Sequence, residues 1–328
     1  MHQIVAAPMP TGSGAIVVHR ALEECISGYS VIPYNPWWTT VPFVLPHFVG
    51  AKPTILHTSA DYAAFFAKRG RPLVATFHNY VLDAPMRRFS TSMQRLHYAT
   101  DLRAFTRRAL KVADVVTAVS RATASLIRDD LAYKGELRVI ENGVDTDLFR
   151  PSSSRRERAV IHALFSGNFS WRKGAQWLPE IARLTKPQLA ISCVGMRSSL
   201  TSNLEQAGIN IIQPVIHSEM PGLYQEADIL LMPTVREGMS LAALEAMACG
   251  LPIVTTNCPS MAELVDDGIG GYLCPLGDTE AMAERLRWLA QSASTRAAMG
   301  KHNREKVVAQ FNRAFMVDRY RELFDALV

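Results

Sequence analysis

Two glutamates, Glu237 and Glu245, bracket the start of a helix. An apolar, strand-like run over 228–232 passes through Pro233 and Thr234 to Glu237, Gly238, Met239 and Ser240. A helical pattern follows, with Leu241, Leu244 and Ala248 on one face. Ser240 is placed to cap that helix, Gly250 to end it and Pro252 to stop any continuation. Backbone N–H groups at a helix start have no intrahelical partner and attract anions, phosphate above all. Ala242, Ala243 and Ala246 are small enough to let a ligand come close. A phosphate at the helix start, with carboxylates reaching hydroxyls on both sides, suits a nucleotide-sugar. An ordinary βαβ turn with two solvated glutamates is the competing reading.

Three other stretches carry chemistry. The loop 166–174 follows a strand and ends in Arg172, Lys173 and Gly174, two cations that suit a departing diphosphate or a plain solvated surface. His78 stands at the C-terminal end of the apolar run 72–77, where open α/β sheets gather ligands. A side chain titrating near neutrality is suited to a hydroxyl proton there, although a histidine bonded within its own loop fits equally. Near the N-terminus, Gly12 and Gly14 lie between a strand and a helix, where backbone N–H groups can meet a phosphate. Their spacing is not G-x-G-x-x-G, and a simple turn explains them as well.

The elements that must position these residues alternate between strand and helix along the whole chain. At 328 residues, 48% hydrophobic and 20% charged, the chain is long enough for two α/β domains with sizeable cores. The expected architecture is α/β, two Rossmann-like doubly wound sheets facing across a cleft. The linker-like composition around 149–154 places the boundary at 152. This gives an N-terminal domain of 1–152, a C-terminal domain of 153–312, and a last helix over 313–328 crossing back to the first. The segments 3–7 and 159–165 are expected strands, Gly268–Tyr272 a turn and 61–68 a helix. Residues 86–111 are expected to form one long helix.

The net charge of +5 suits anionic ligands and does not call for nucleic acid. The basic face of 86–111 is compatible with peripheral contact at an anionic membrane, but a solvated outer face is the plainer reading. The five cysteines, Cys25, Cys193, Cys249, Cys258 and Cys274, include no C-x-x-C pair. They read as reduced core residues of a cytoplasmic protein, with no metal site. No secretory leader and no apolar run of membrane-spanning length is recognisable.

Glu237 through Glu245 with the following Ala-Met-Ala-Cys-Gly-Leu-Pro resembles the E-x7-E signature of GT-B-fold glycosyltransferases of family 4. Asn142-Gly-Val-Asp145, the Lys173-Gly174 pair and Gly268 to Leu273 with Pro275 support the resemblance. It implies retaining transfer of a sugar from a nucleotide-sugar to a hydroxyl of a glycan, lipid-linked or small-molecule acceptor, without a metal or other cofactor. Cell-surface polysaccharide synthesis is the family-level expectation. It places Glu237 on the sugar's hydroxyls and Glu245 on the ribose. The backbone from Gly238 through Met239 and Ser240 to Leu241 would lie against sugar and diphosphate, and Lys173 would neutralise the leaving group. His78 would stand near the reacting centre, and Gly12 and Gly14 would close on the donor. The family's arginine five residues ahead of the lysine is here Asn168, with Arg172 as the neighbouring cation. A sugar-nucleotide epimerase or hydrolase on the same fold, or a non-catalytic nucleotide-sugar-binding protein, is the alternative.

Overall fold

A computed structural model describes residues 4–50, 52–153 and 160–328. They divide into two compact units, Met1–Gly143 with Arg313–Val328 and Val144–Asn312.

In the first unit, six parallel strands are ordered β2-β1-β3-β4-β5-β6. They are β1 (Val5–Pro10), β2 (Tyr29–Tyr34), β3 (Ile55–Ser59), β4 (Leu73–Phe77), β5 (Val115–Ala118) and β6 (Leu137–Val139). Burial on both faces explains why β4 reads as an unbroken apolar run rather than an alternation. Strand order reverses between β1 and β3. In open α/β sheets, that is where a crevice forms beyond the carboxyl ends of the strands. The last helix, Arg313–Asp325, belongs to this unit and buries Met316, Val317, Tyr320, Leu323 and Phe324 within it.

In the second unit, six parallel strands are ordered β12-β11-β10-β7-β8-β9. They are β7 (Ile161–Ser166), β8 (Leu189–Val194), β9 (Asn210–Ile212), β10 (Ile229–Met232), β11 (Ile253–Thr256) and β12 (Gly271–Cys274). Order reverses between β7 and β10, the two strands that lead into the cationic loop and the Glu237 loop. Ile229, Leu231, Ala163, Phe165 and Val254 form the core here with Leu178, Ile181, Leu286 and Leu289 from the covering helices.

Several local expectations are corrected. Segment 86–111 is not one helix: a 3-10 turn over Ala84–Phe89, a helix over Ser92–His97, a π turn over Tyr98–Leu102 and a helix over Arg103–Val112 succeed one another. Thr91 and Gln94 form a reciprocal capping box that starts a new helix in the middle of the segment. The helix expected over 61–68 shortens to Ala63–Phe66. Gly271 begins strand β12 rather than sitting in a turn, and Thr201–Gln206 and Pro259–Leu264 add helices. The division between units falls at Gly143/Val144, where the sequence reading placed it at 152. Val144 donates to Phe311 O at 2.9 Å, and Arg304 holds the Thr146 and Phe149 carbonyls at 2.9 and 2.8 Å. Those bonds draw 144–149 into the second unit. Gln3, Ser154 and Ala159, which the sequence reading put in a strand, a linker and a strand, lie outside the described residues.

A Cβ at Gly271 would lie 2.0 Å from Ile253 O on β11. Gly271→Ala therefore forces β12 away from β11 and should cost about 1–3 kcal/mol. Denaturant unfolding checks this: a lower midpoint at unchanged slope is the expected result.

Candidate active site

The two loops at the β7/β10 reversal are stitched together by hydrogen bonds. Val235 N donates to Arg172 O at 2.8 Å, and the Thr234 hydroxyl oxygen lies 3.2 Å from the same carbonyl. Gly174 makes the approach feasible. Its φ is +79° and a Cβ there would lie 1.7 Å from Pro233 O, so only glycine fits. Lys173 is thereby aimed at the second loop, and its Nζ sits 2.7 Å from Glu237 Oε1. Thr234 Oγ1 donates to the same oxygen at 2.9 Å, and an Arg172 guanidinium nitrogen lies 3.7 Å away while donating to Arg236 O at 2.9 Å.

Glu237 is 8% exposed. Burial opposes its ionisation, but the Lys173 ammonium, the Arg172 guanidinium and the bonds from Lys173 and Thr234 outweigh that, holding the carboxyl below its ordinary range. Ser260 Oγ fixes the Glu237 main chain by donating to its carbonyl at 2.7 Å. The result is a preformed, charged and nearly dry corner beyond the carboxyl ends of the strands.

The helix that follows runs Leu241–Ala248. Ser240 Oγ accepts from Ala243 N at 3.3 Å, the cap that the residue type predicts. Gly250, at φ +75°, closes the other end as Gly250 N bonds Met247 O and Leu251 N bonds Ala246 O. Gly238, Met239 and Ser240 are buried and Leu241 half-buried, so the helix start is enclosed. Glu245 is buried too, and its carboxylate is already engaged: Tyr224 donates to Oε2 at 2.8 Å and His217 Nε2 lies 3.0 Å from Oε1. Burial first, and then the facing Glu245 charge, pushes the Tyr224 hydroxyl well above its ordinary pKa, so it stays a donor. Ser166 at the end of β7 lies 3.2 Å from the same hydroxyl and joins Glu245 to the sheet.

Asn168 is exposed, while Arg172 stands beside Glu237. Lys173, Arg172, Glu237, Glu245 and the 238–241 backbone all gather at the strand reversal of the second unit. Sequence reasoning missed Thr234, Ser260, His217 and Tyr224. Only Thr234, three residues before Glu237, lay close enough in sequence to be noticed.

In the first unit, Gly12 has φ +78° and Gly14 opens the helix Gly14–Cys25, both beyond the end of β1. His78 follows β4, and its Nε2 lies 3.0 Å from Nε2 of His19, a buried residue of that helix. Burial lowers the pKa of His78 to about 4, so its imidazole is neutral across the physiological range. Among the described residues, no group of three His, Cys, Asp or Glu is placed to hold a metal ion, and no helix is long and apolar enough to cross a membrane.

Comparison with known proteins bears on the family and the fold. The family model described as Glycosyltransferase Family 4 matches residues 4–148, and that described as Glycosyl transferases group 1 matches residues 161–292. The chain belongs to the family 4, group 1 glycosyltransferases. It is similar to a D-inositol 3-phosphate glycosyltransferase of Paenarthrobacter aurescens, 29% identical over 79% of this chain. It spans 69% of that relative's length and 60% of a second relative of the same name. Two solved structures share its GT-B fold. Sucrose-phosphate synthase from Thermosynechococcus elongatus has 20% identity, a TM-score of 0.84 and coverage of 99% and 100% of the two chains. Anabaena HepE in complex with UDP has 16% identity, a TM-score of 0.76 and the same coverage.

The buried charges and imidazoles of this glycosyltransferase give it a defined acid sensitivity. Burial lowers the pKa of His19, with His57 and His78 adding to it, and burial also lowers that of His57, with His78 adding. Between pH 6.5 and about 4 the unfolded chain takes up protons that these folded histidines refuse, so each removes up to roughly 1.4 kcal/mol of stability per pH unit as pH falls. Asp61, raised to about 6 by burial, works in the opposite sense below that pH but is one group against three. Thermal melts should therefore hold steady above pH 7 and fall from about pH 6.5 downward, before the carboxylates protonate. A midpoint that stays flat to pH 5 would contradict the buried neutral histidines.

Proposed function

We propose that the chain is a retaining glycosyltransferase that moves a sugar from a nucleoside-diphosphate donor to a hydroxyl of a glycan, lipid-linked or small-molecule acceptor. The observation that carries the reading is the Lys173–Glu237 pair at the β7/β10 reversal, 2.7 Å apart with the carboxylate buried, beside an enclosed helix start. Lys173, Arg172 and the helix N-terminus suit a diphosphate, whose negative charge grows as the sugar–phosphate bond breaks. Glu237 suits the hydroxyls of the sugar, and Glu245, held by Tyr224 and His217, the ribose. UDP in the related Anabaena structure supports a nucleoside diphosphate as the leaving group.

The bond from the anomeric carbon to the diphosphate breaks and the acceptor oxygen bonds to that carbon on the same face. The acceptor's proton passes to a phosphate oxygen, and the nucleoside diphosphate leaves with the electron pair of the broken bond. No metal is assigned a part, because the two cations supply the charge. His78, neutral and unable to neutralise the phosphate, positions a hydroxyl. A role in cell-surface polysaccharide synthesis belongs to the same proposal. The exposed Arg87, Arg88, Met93, Arg95 and Leu96 support peripheral contact with an anionic membrane at the cytoplasmic face.

Incubation with UDP-, GDP-, dTDP- and ADP-sugars, with and without candidate acceptors, tests the reading. Acceptor-dependent release of one nucleoside diphosphate is expected. Glu237→Ala and Lys173→Ala should each lower transfer by about 100-fold or more. Lys173→Ala should also cost about 3 kcal/mol of stability by leaving Glu237 buried without its closest cation. Release at the same rate without acceptor would make the chain a hydrolase, and binding without turnover a nucleotide-sugar-binding protein.

A further inference from the structure

Behind His78 the first unit buries a continuous line of polar groups that the transfer reaction does not itself require. His19 Nε2 is 3.0 Å from His78 Nε2, and His19 Nδ1 is 2.6 Å from the Tyr29 hydroxyl. That hydroxyl is 2.8 Å from His57 Nδ1, and His57 Nε2 is 2.7 Å from Thr76 Oγ1. Thr76 in turn lies 2.6 Å from Thr117 Oγ1 and 3.4 Å from the Tyr320 hydroxyl. The line thus runs from the helix Gly14–Cys25 through β2, β3, β4 and β5. The Arg313–Asp325 helix covers it: the Tyr320 ring centroid is 4.8 Å from that of His57, and Phe324 lies 5.5 Å from His57 and 5.8 Å from Tyr29. With water kept out, each of these bonds is costly to lose.

The chemistry of the groups restricts where the protons can be. A neutral imidazole has one N–H and one lone pair, and a hydroxyl has a single proton to give. Placed between two Nδ1 atoms, the Tyr29 hydroxyl donates to one and accepts from the other. If it donates to His57, His19 donates from Nδ1 and accepts at Nε2. His78 then carries its proton on Nε2 and a lone pair on Nδ1. If it donates to His19, every bond reverses and His78 carries its proton on Nδ1. No mixed neutral arrangement satisfies the line, so the orientation of one phenol sets the tautomer of a histidine two residues removed in the network.

The far side of His78 chooses between the two orders. His78 Nδ1 is buried and has no hydrogen-bond partner among the described residues. The reversed order would bury an N–H without an acceptor there, and orphaned N–H groups are rarer in proteins than under-used acceptors. We propose that Tyr29, His19 and His57 are positioning residues that lock His78 in the Nε2–H tautomer, leaving Nδ1 with its lone pair. The lowered pKa of all three histidines supports the lock, because a protonated imidazole anywhere in the line would break the alternation. The kinetic consequence rests on His78 acting in the transfer, whereas the proton order does not.

The test is a long-range 1H–15N correlation on the full chain labelled with 15N-histidine. His78 should show a protonated Nε2 and a bare Nδ1 from pH 8 down to 5.5. The opposite tautomer, or an average of both, overturns the lock, and this wild-type spectrum decides the matter even if no variant folds. In Tyr29→Phe, which removes only the hydroxyl, His78 should average between tautomers. The turnover number should fall by about 10-fold with the donor KM changed less than about 2-fold. A single unchanged tautomer in that variant would overturn the proposal, whatever the rate. A wild-type chain with the fixed tautomer and no sugar transfer would sink the functional reading and leave the lock standing.

Discussion

The second unit is arranged around one ion pair, a half-buried lysine against a buried carboxylate. Lys173 and Glu237 come from loops that follow β7 and β10, neighbours in the sheet but far apart in sequence, and they meet at 2.7 Å in a place with little access to water. A buried carboxylate without a cation would cost several kcal/mol, so the pair dictates that both loops hold their shape. The glycine at 174, the threonine at 234 and the main-chain bonds to Arg172 O follow from that demand. The pair also carries a functional tension. In the proposed function the lysine held by this carboxylate would be shared with, or released to, an incoming diphosphate, which would free the carboxylate for a sugar hydroxyl.

The first unit meets the opposite requirement. Its candidate group, His78, is neutral, and so are the histidines behind it. Direction there comes from hydrogen-bond order rather than charge: one phenol, two imidazoles and a threonine have only two self-consistent proton arrangements. The Arg313–Asp325 helix closes over that line with Tyr320 and Phe324, giving this last stretch of chain a structural task inside the first unit. Among the candidate site groups, the ion pair lies in the second unit and the ordered proton line in the first.

What was legible in the sequence was what neighbouring residues decide. The alternation of strands and helices announced two doubly wound sheets. Ser240, Gly250 and Pro252 marked the ends of the helix carrying Glu245, because caps and breakers act within a turn of where they stand. Glu237, Lys173 and Arg172 were visible as loop residues after apolar strands. The partners of those residues were not visible. Tyr224 and His217 reach Glu245, and His19 reaches His78, only through the packing of elements, and no local spacing encodes that. Segment 86–111 misled because its apolar and basic periodicity outweighed the Thr91–Gln94 cap inside it. Gly271 reads as a turn residue in the sequence, although its role is close backbone approach to β11.

A diphosphate that takes Lys173 in the proposed reaction has to compete with Glu237 for it. Calorimetric binding of free nucleoside diphosphates, UDP first, to the wild-type chain and to Glu237→Gln tests it directly. Glutamine keeps the shape of the side chain but no longer competes for the lysine's charge. Glu237→Gln is expected to bind the diphosphate more tightly, by about 10-fold, while transferring no sugar. Equal or weaker binding in that variant would show that the ion pair does not gate the site.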